Sequence, residues 1–244
     1  MSAFWAIYLR EALIMKHRLL RQLGGMCVSP LLYTVTFGCA LGGAVTIGDK
    51  SYLDFLIPGL VAMASMTQSF SIAGEINVAR FYFHAFEEFQ AAPISRLSFV
   101  MGESLAGLTR ALVAICIVLA LGFLFGARPH VGIYFIVAVL LNGWAFACLA
   151  VAMAMIVKSH ADQSLLTSFI ITPMAFLGGT FFPLDGLPAW ARSILQVLPL
   201  SHASKAIRAD AFGESPELWP FLALAGAGIV FFVLAVSAVS RARD

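Results

Sequence analysis

Few residues in this sequence carry chemistry, and those that do stand in apolar surroundings. Arg110 sits within a run from Ser98 to Gly126 whose only other charged group is Glu103, and Glu75 closes a second apolar run. Charges at membrane depth are costly, so they face protein or a water-filled cavity and pair with one another or with backbone carbonyls. Glu103 and Arg110 share a helix face, yet seven residues put their backbones about 10 Å apart. Glu75 is a further candidate partner for Arg110. These three residues form either a structural ion-pair set, with Arg110 free to snorkel, or a contact for something transported. Asp54, at the start of its run, is expected to meet water. Gln68, Asn77, Asn142 and Gln163 read as polar groups that pack helices together.

Other chemistries lack their residues. No GxxxxGK[ST] occurs, so the chain has no loop of that kind to cradle ATP phosphates. HExxH, CxxC and GxSxG are absent as well. Ser201-His202 with Asp185 has the residue types of acyl transfer, but nothing in the spacing fixes a nucleophile beside a base. Cys27, Cys39, Cys116 and Cys148 lie in apolar runs and are expected to be buried free thiols.

The elements that hold these residues follow from composition. Of 244 residues, 61% are hydrophobic and 11% charged, whereas a soluble domain carries roughly 25% charged residues. A domain-length chain with half that charge must face lipid. The net charge of +2, without a basic cluster, excludes a nucleic-acid footprint. Residues 1–21 lack the pattern of a cleavable signal peptide. A spanning helix needs about 20 apolar residues, and six runs qualify, at about 23–47, 54–76, 98–126, 131–157, 163–182 and 217–240. With the N-terminus in the cytoplasm, nine Lys and Arg fall inside and five outside, Arg110 lying in a span. Both termini are then cytoplasmic.

Before the first run, Phe4, Trp5, Tyr8, Ala12, Met15 and Leu19 share one arc of a helix, while Arg10, His17 and Arg21 point away. A basic amphipathic helix of this kind lies along an anionic inner leaflet. Small residues four apart (Gly38 and Gly42, Gly122 and Gly126, Ala150 and Ala154, Ala223 and Ala227) mark candidate close-packed seams. Residues 77–97 form an inner loop. Within it Phe86 and Phe89, with Phe83 or Tyr82 before them, make an apolar stripe and Glu87 and Glu88 take other faces, until Ala92-Pro93 ends the helix. Such a helix either anchors the loop beneath the membrane or docks a cytoplasmic partner. The long outer segment, 183–216, is too apolar for a solvated loop, with Leu184, Leu187, Trp190, Ile194, Leu195, Val197 and Leu198.

Several stretches, in order, carry a resemblance: Tyr52-Leu53-Asp54-Phe55-Leu56-Ile57-Pro58-Gly59-Leu60, Phe86-Glu87-Glu88-Phe89-Gln90-Ala91-Ala92-Pro93, and Gly102-Glu103. Then come Pro173 to Pro183, Leu184-Asp185-Gly186-Leu187-Pro188 and Leu198-Pro199-Leu200-Ser201-His202. Together they resemble the ABC-2 type permeases, which export drugs, polysaccharides and lipo-oligosaccharides. The resemblance implies an all-α integral membrane protein. It would have a six-helix domain over 23–244, an interfacial helix over 1–22, and short re-entrant helices near 188–197 and 200–212. It implies that the 80–92 helix docks an ATPase through Phe83, Phe86, Glu87, Glu88 and Phe89. Two permease chains, expected here as a homodimer, pair with two ATPase subunits, and ATP and magnesium sit on those partners. Phe181, Phe182 and Leu195 are the expected outer gate, and the location is the bacterial inner membrane. The rival reading is a self-sufficient secondary transporter. It predicts internal repeats and mid-depth carboxylates, and neither is evident in the sequence.

Overall fold

A computed structural model describes residues 3–39, 46–47, 50–82 and 94–242. The described chain is almost wholly helical, as a chain immersed in lipid must be. With no water to satisfy backbone N–H and C=O groups, only helices and closed barrels cross a bilayer.

Helix α1 (Ala3–His17) breaks at Arg18 and continues as α2 (Leu19–Tyr33), which relaxes into a π-helical stretch at Thr34–Cys39. A two-residue antiparallel pair, Thr46–Ile47 with Lys50–Ser51, leads into α3 (Tyr52–Phe70). The Ser51 hydroxyl accepts the Asp54 N–H at 3.2 Å and donates to its carboxylate at 2.7 Å, so Asp54 completes an N-cap. After Ser71 the chain continues as α4 (Ile72–Phe81), and α3 and α4 make one 30-residue span. Helix α5 (Arg96–Leu124) starts at a Ser95 cap, and α6 (Ile133–Ile156) follows a turn in which Gly126 has φ +96°. Helix α7 (His160–Leu166) passes through a π-turn, Thr167–Ile171, into α8 (Thr172–Leu177). Helices α9 (Ala189–Leu195) and α10 (Pro199–Ala211) precede α11 (Leu218–Arg241).

Four helices among the described residues are long and apolar enough to cross a membrane: α3–α4, α5, α6 and α11. In their most apolar stretches, 83% of α3–α4 and 72% of α6 is buried, against 39% of α5 and 28% of α11. Span α3–α4 with α6 is therefore the centre of the bundle, and α5 and α11 expose much of their surface. The α10 helix lies across the end of the bundle away from α1, packed on α3, α6 and α11.

Helix α6 is held at both ends by side chains from elsewhere in the chain. At its N-terminus the buried Asp210 carboxylate accepts the Gly132 N–H at 2.7 Å. At its C-terminus Arg80 donates to the carbonyls of Ala154 and Met155 at 3.0 Å and of Val157 at 3.2 Å. An anion at the N-terminus and a cation at the C-terminus complement the helix dipole and satisfy groups with no intrahelical partner.

Several expectations change. The α1 residues that bury are Ile7 and Glu11, and Trp5 is 41% exposed. The reason is that α1 packs on α5, where Gly102 lets it approach; a Cβ there would lie 2.8 Å from Ile7 Cγ2. Among the described thiols Cys148 is buried, Cys116 exposed and Cys27 half-buried. Cys116 lies on the outward side of a peripheral helix, where a thiol is apolar enough for lipid. Of the small-residue pairs, Ala150 and Ala154 are fully buried and Gly122 meets Ile57, whereas Gly126 turns the chain. On α11 the close approach is at Gly228, against Trp144, with Ala223 and Ala227 only half-buried. A four-residue spacing cannot show which small residue meets a large partner.

Candidate functional site

One cluster of buried charged residues lies at the α1 end of the bundle. Arg110 Nη1 lies 2.7 Å from Glu75 Oε2 and its Nη2 donates to Glu75 Oε1 at 2.8 Å, a two-point contact. Glu103 takes a different partner: its Oε1 accepts from Arg10 Nη2 at 3.3 Å, and the same nitrogen also donates to Glu11. Gln22 adds a 3.4 Å contact to Glu75, and the Tyr8 hydroxyl lies 3.3 Å from that of Thr109. Thus α1, α4 and α5 are fastened together by three carboxylates and two guanidiniums. Glu103 is fully buried and Glu11 is 6% exposed. On α1, burial pushes the Glu11 carboxyl above its ordinary value, with the neighbouring Arg10 opposing.

Of the residues read from sequence, Glu75, Glu103 and Arg110 therefore share one cluster, but the partner of Arg110 is Glu75. Arg10 was expected to point away from the helix's packed face and instead turns inward; it and Glu11 were missed. No periodicity could have found them, because Glu11 is buried beside a half-buried Arg10 as a paired set and the apolar arc is read one residue at a time. The docking residues Phe83, Phe86, Glu87, Glu88 and Phe89 lie outside the described residues.

The opposite end holds a different arrangement. Phe181 packs its ring at 5.1 Å from Tyr33, 5.2 Å from Phe37 and 5.3 Å from Phe176, joining the π-helical stretch after α2 to α8. The Tyr52 hydroxyl donates to the Phe181 carbonyl at 2.8 Å. Phe182 is half-buried and Leu195 buried at 7% exposure. The Arg208 guanidinium stacks on Phe55, 3.7 Å from the ring centre, and donates to the Gly179 carbonyl at 2.8 Å. The side chain of Arg208, which sequence placed merely on the outer side, thus pins α10 to α3 and to the turn after α8.

The remaining polar groups are structural. Asn77 donates to Gln163 at 3.1 Å, and Asn142 to the Ala62 carbonyl at 3.1 Å. Ser201 donates to the Leu195 carbonyl at 2.6 Å, and His202 Nε2 meets the Gln196 carbonyl at 2.8 Å. Each is engaged with main chain, which leaves no serine–histidine pair. Among the described residues no group of three His, Cys, Asp or Glu is placed to hold a metal.

The described bundle thus has a buried charge cluster at the α1 end and a helical cap, pinned by Arg208 and Asp210, at the other. Residues 2–212 match the family described as ABC-2 type transporter. The chain belongs to that family. Among similar proteins, the inner membrane transport permease YadH of Escherichia coli K12 is 26% identical over 242 residues, covering 93% of this chain and 92% of the relative. Nodulation protein J of Rhizobium meliloti is 29% identical over 212 residues, covering 86% and 81%. The daunorubicin resistance ABC transporter permease protein DrrB1 of Streptomyces coeruleorubidus is 27% identical over 196 residues, covering 77% and 67%. The chain is a multi-pass membrane subunit of an ABC transporter, of the kind found in bacterial inner membranes. That membership decides against the secondary-transporter reading.

Proposed function

We propose that this permease exports an amphipathic or lipid-linked cargo across the inner membrane, driven by ATP that a separate subunit hydrolyses. The family match over residues 2–212 carries the reading. A relative named for daunorubicin resistance supports the outward direction.

Two interrupted helices complete a six-span domain. Leu19–Cys39 and His160–Leu177 are the first and fifth spans, both within the range of about 17–25 residues that cross a bilayer. An even number of spans keeps both termini in the cytoplasm, in accord with the excess of basic residues on that side. Helices α9 and α10 are then outer re-entrant helices, and Phe181, Phe182 and Leu195 form the outer gate.

Two permease chains, as a homodimer, meet two ATPase subunits that hold ATP and magnesium. Each ATPase receives Phe83, Phe86 and Phe89 as an apolar stripe and pairs its own basic groups with Glu87 and Glu88. This loop leaves α4 at Phe81 and enters α5 at Arg96. The Arg110–Glu75 and Arg10–Glu103 contacts tie α4 and α5 to each other and to α1. Motion of the loop is thereby passed to three helices together.

The test is co-purification of detergent-solubilised chain with an ATP-binding subunit, comparing wild type with Glu87→Arg/Glu88→Arg. The subunit should come down with the wild type and be lost with the variant. Retention by the variant rejects the docking site alone. Absence of any ATPase from the wild type, under conditions that preserve other complexes, rejects the ATP-driven reading.

A further inference from the structure

At the α1 end of the bundle, the first turn of α5 and the last turns of α11 border a groove of about 480 Å³. Arg96 of α5 and Arg241 of α11 line it, with Ser240 beside Arg241 in the chain and Leu97, Phe232 and Val236 along its wall. Neither guanidinium has a hydrogen-bond or ion-pair partner among the described residues. This sets them apart from Arg10, Arg80, Arg110 and Arg208, all of which meet acceptors within the chain. The groove opens on the least buried span, α11, so its apolar wall continues onto a lipid-facing surface.

Two cations without partners at one end of a groove, and hydrocarbon along the rest, fit a ligand with an anionic head and an acyl tail. The positive N-terminal end of α5 adds to the attraction. Basic pockets between spanning helices at the cytoplasmic face recognise phospholipid head groups.

We propose that this groove binds one anionic phospholipid of the inner leaflet. Its phosphate is held between Arg96 and Arg241, the Ser240 hydroxyl donates to it, and one acyl chain lies along Leu97, Phe232 and Val236. Only the choice of leaflet rests on the orientation proposed above.

The experiment uses the full chain, delipidated in detergent and titrated with phosphatidylglycerol or phosphatidylcholine, with bound lipid counted by native mass spectrometry. Wild type should retain one phosphatidylglycerol in preference to phosphatidylcholine by about thirtyfold, the worth of two arginines near an anionic head group. Arg96→Gln/Arg241→Gln should lose that preference. Lys158→Gln, an exposed basic change at the same end of the bundle, should keep it. Both variants alter exposed side chains, and unchanged melting without lipid verifies their fold. Equal retention of the two lipids by wild type overturns the proposal, as does a preference that survives in the double variant. Displacement of the lipid by inorganic phosphate at equal concentration also overturns it, since the site would then read the phosphate alone. This readout is independent of orientation. Labelling of Lys158→Cys in sealed vesicles tests the leaflet separately.

Discussion

Glu75 and Arg110 show how a charge is tolerated within an apolar bundle. The guanidinium meets both carboxylate oxygens, and its side chain is 9% exposed while that of Glu75 is 29% exposed. A pair of this kind is weak evidence for net stability, because desolvation offsets the attraction. Removing one partner is different, since the other stays buried and unpaired. Glu75→Ala should therefore destabilise the chain by about 3 kcal/mol, read as a lower melting temperature in detergent. Glu75→Leu/Arg110→Met should recover most of that loss. If the single and double variants melt alike, the pair is not the reason Arg110 is tolerated. Arg80 and Asp210 follow the same logic more simply, each answering unpaired backbone groups at one end of α6.

Among the elements, the junction between α3 and the turn after α8 is the tightest. A Cβ on Gly59 would lie 2.4 Å from the Thr180 carbonyl oxygen and 3.0 Å from its Cα. Both are backbone atoms, so no side chain can rotate away. Gly59→Ala should cost about 1–3 kcal/mol, the usual range for overpacking. It should also displace the turn that carries Phe181. Water-soluble maleimide labelling of Leu195→Cys reports this: slow in the parent, because Leu195 is buried, and faster with Gly59→Ala. Unchanged labelling and melting would show that the turn yields freely. The π-helical stretches at Thr34–Cys39 and Thr167–Ile171 flank the same aromatic cluster. Such departures from the α-helix occur often at functional sites, and here they accompany the helices that carry Tyr33 and Phe176.

For the whole molecule, the two ends differ in kind. One pools buried charge around α1 and leads to the loop proposed to meet an ATPase; the other is covered by α10 and stacked aromatics. The proposed orientation predicts opposite labelling of two exposed positions in sealed cells. Arg128→Cys should react with impermeant maleimide from outside, and Lys158→Cys only after the membrane is opened. The reverse pattern would invert the topology and with it the docking proposal. Several apolar side chains of α9 and the segment after it point outward, among them Trp190 at 71% and Val197 at 79% exposure. They suit lipid or a second copy, in keeping with the proposal of a re-entrant segment at the outer leaflet.

The sequence by itself determined that the chain lives in lipid and where most helices run. α5, α6 and α11 lie within a few residues of the runs read from hydropathy, because apolar length is a local property, and α10 lies within a residue of the 200–212 helix that the resemblance implied. Pro199 opens α10, and Gly213, at φ +78°, follows its end. Glu75, Glu103 and Arg110 were also legible, since a charge within an apolar run is conspicuous. Only the tertiary structure decided the pairing: Arg110 with Glu75, Glu103 with Arg10, Arg208 on Phe55. Those choices depend on which helix faces lie together. Residues as distant in sequence as Arg10 and Glu103 become neighbours through the approach of α1 at Gly102, and spacing along one chain carries no record of that.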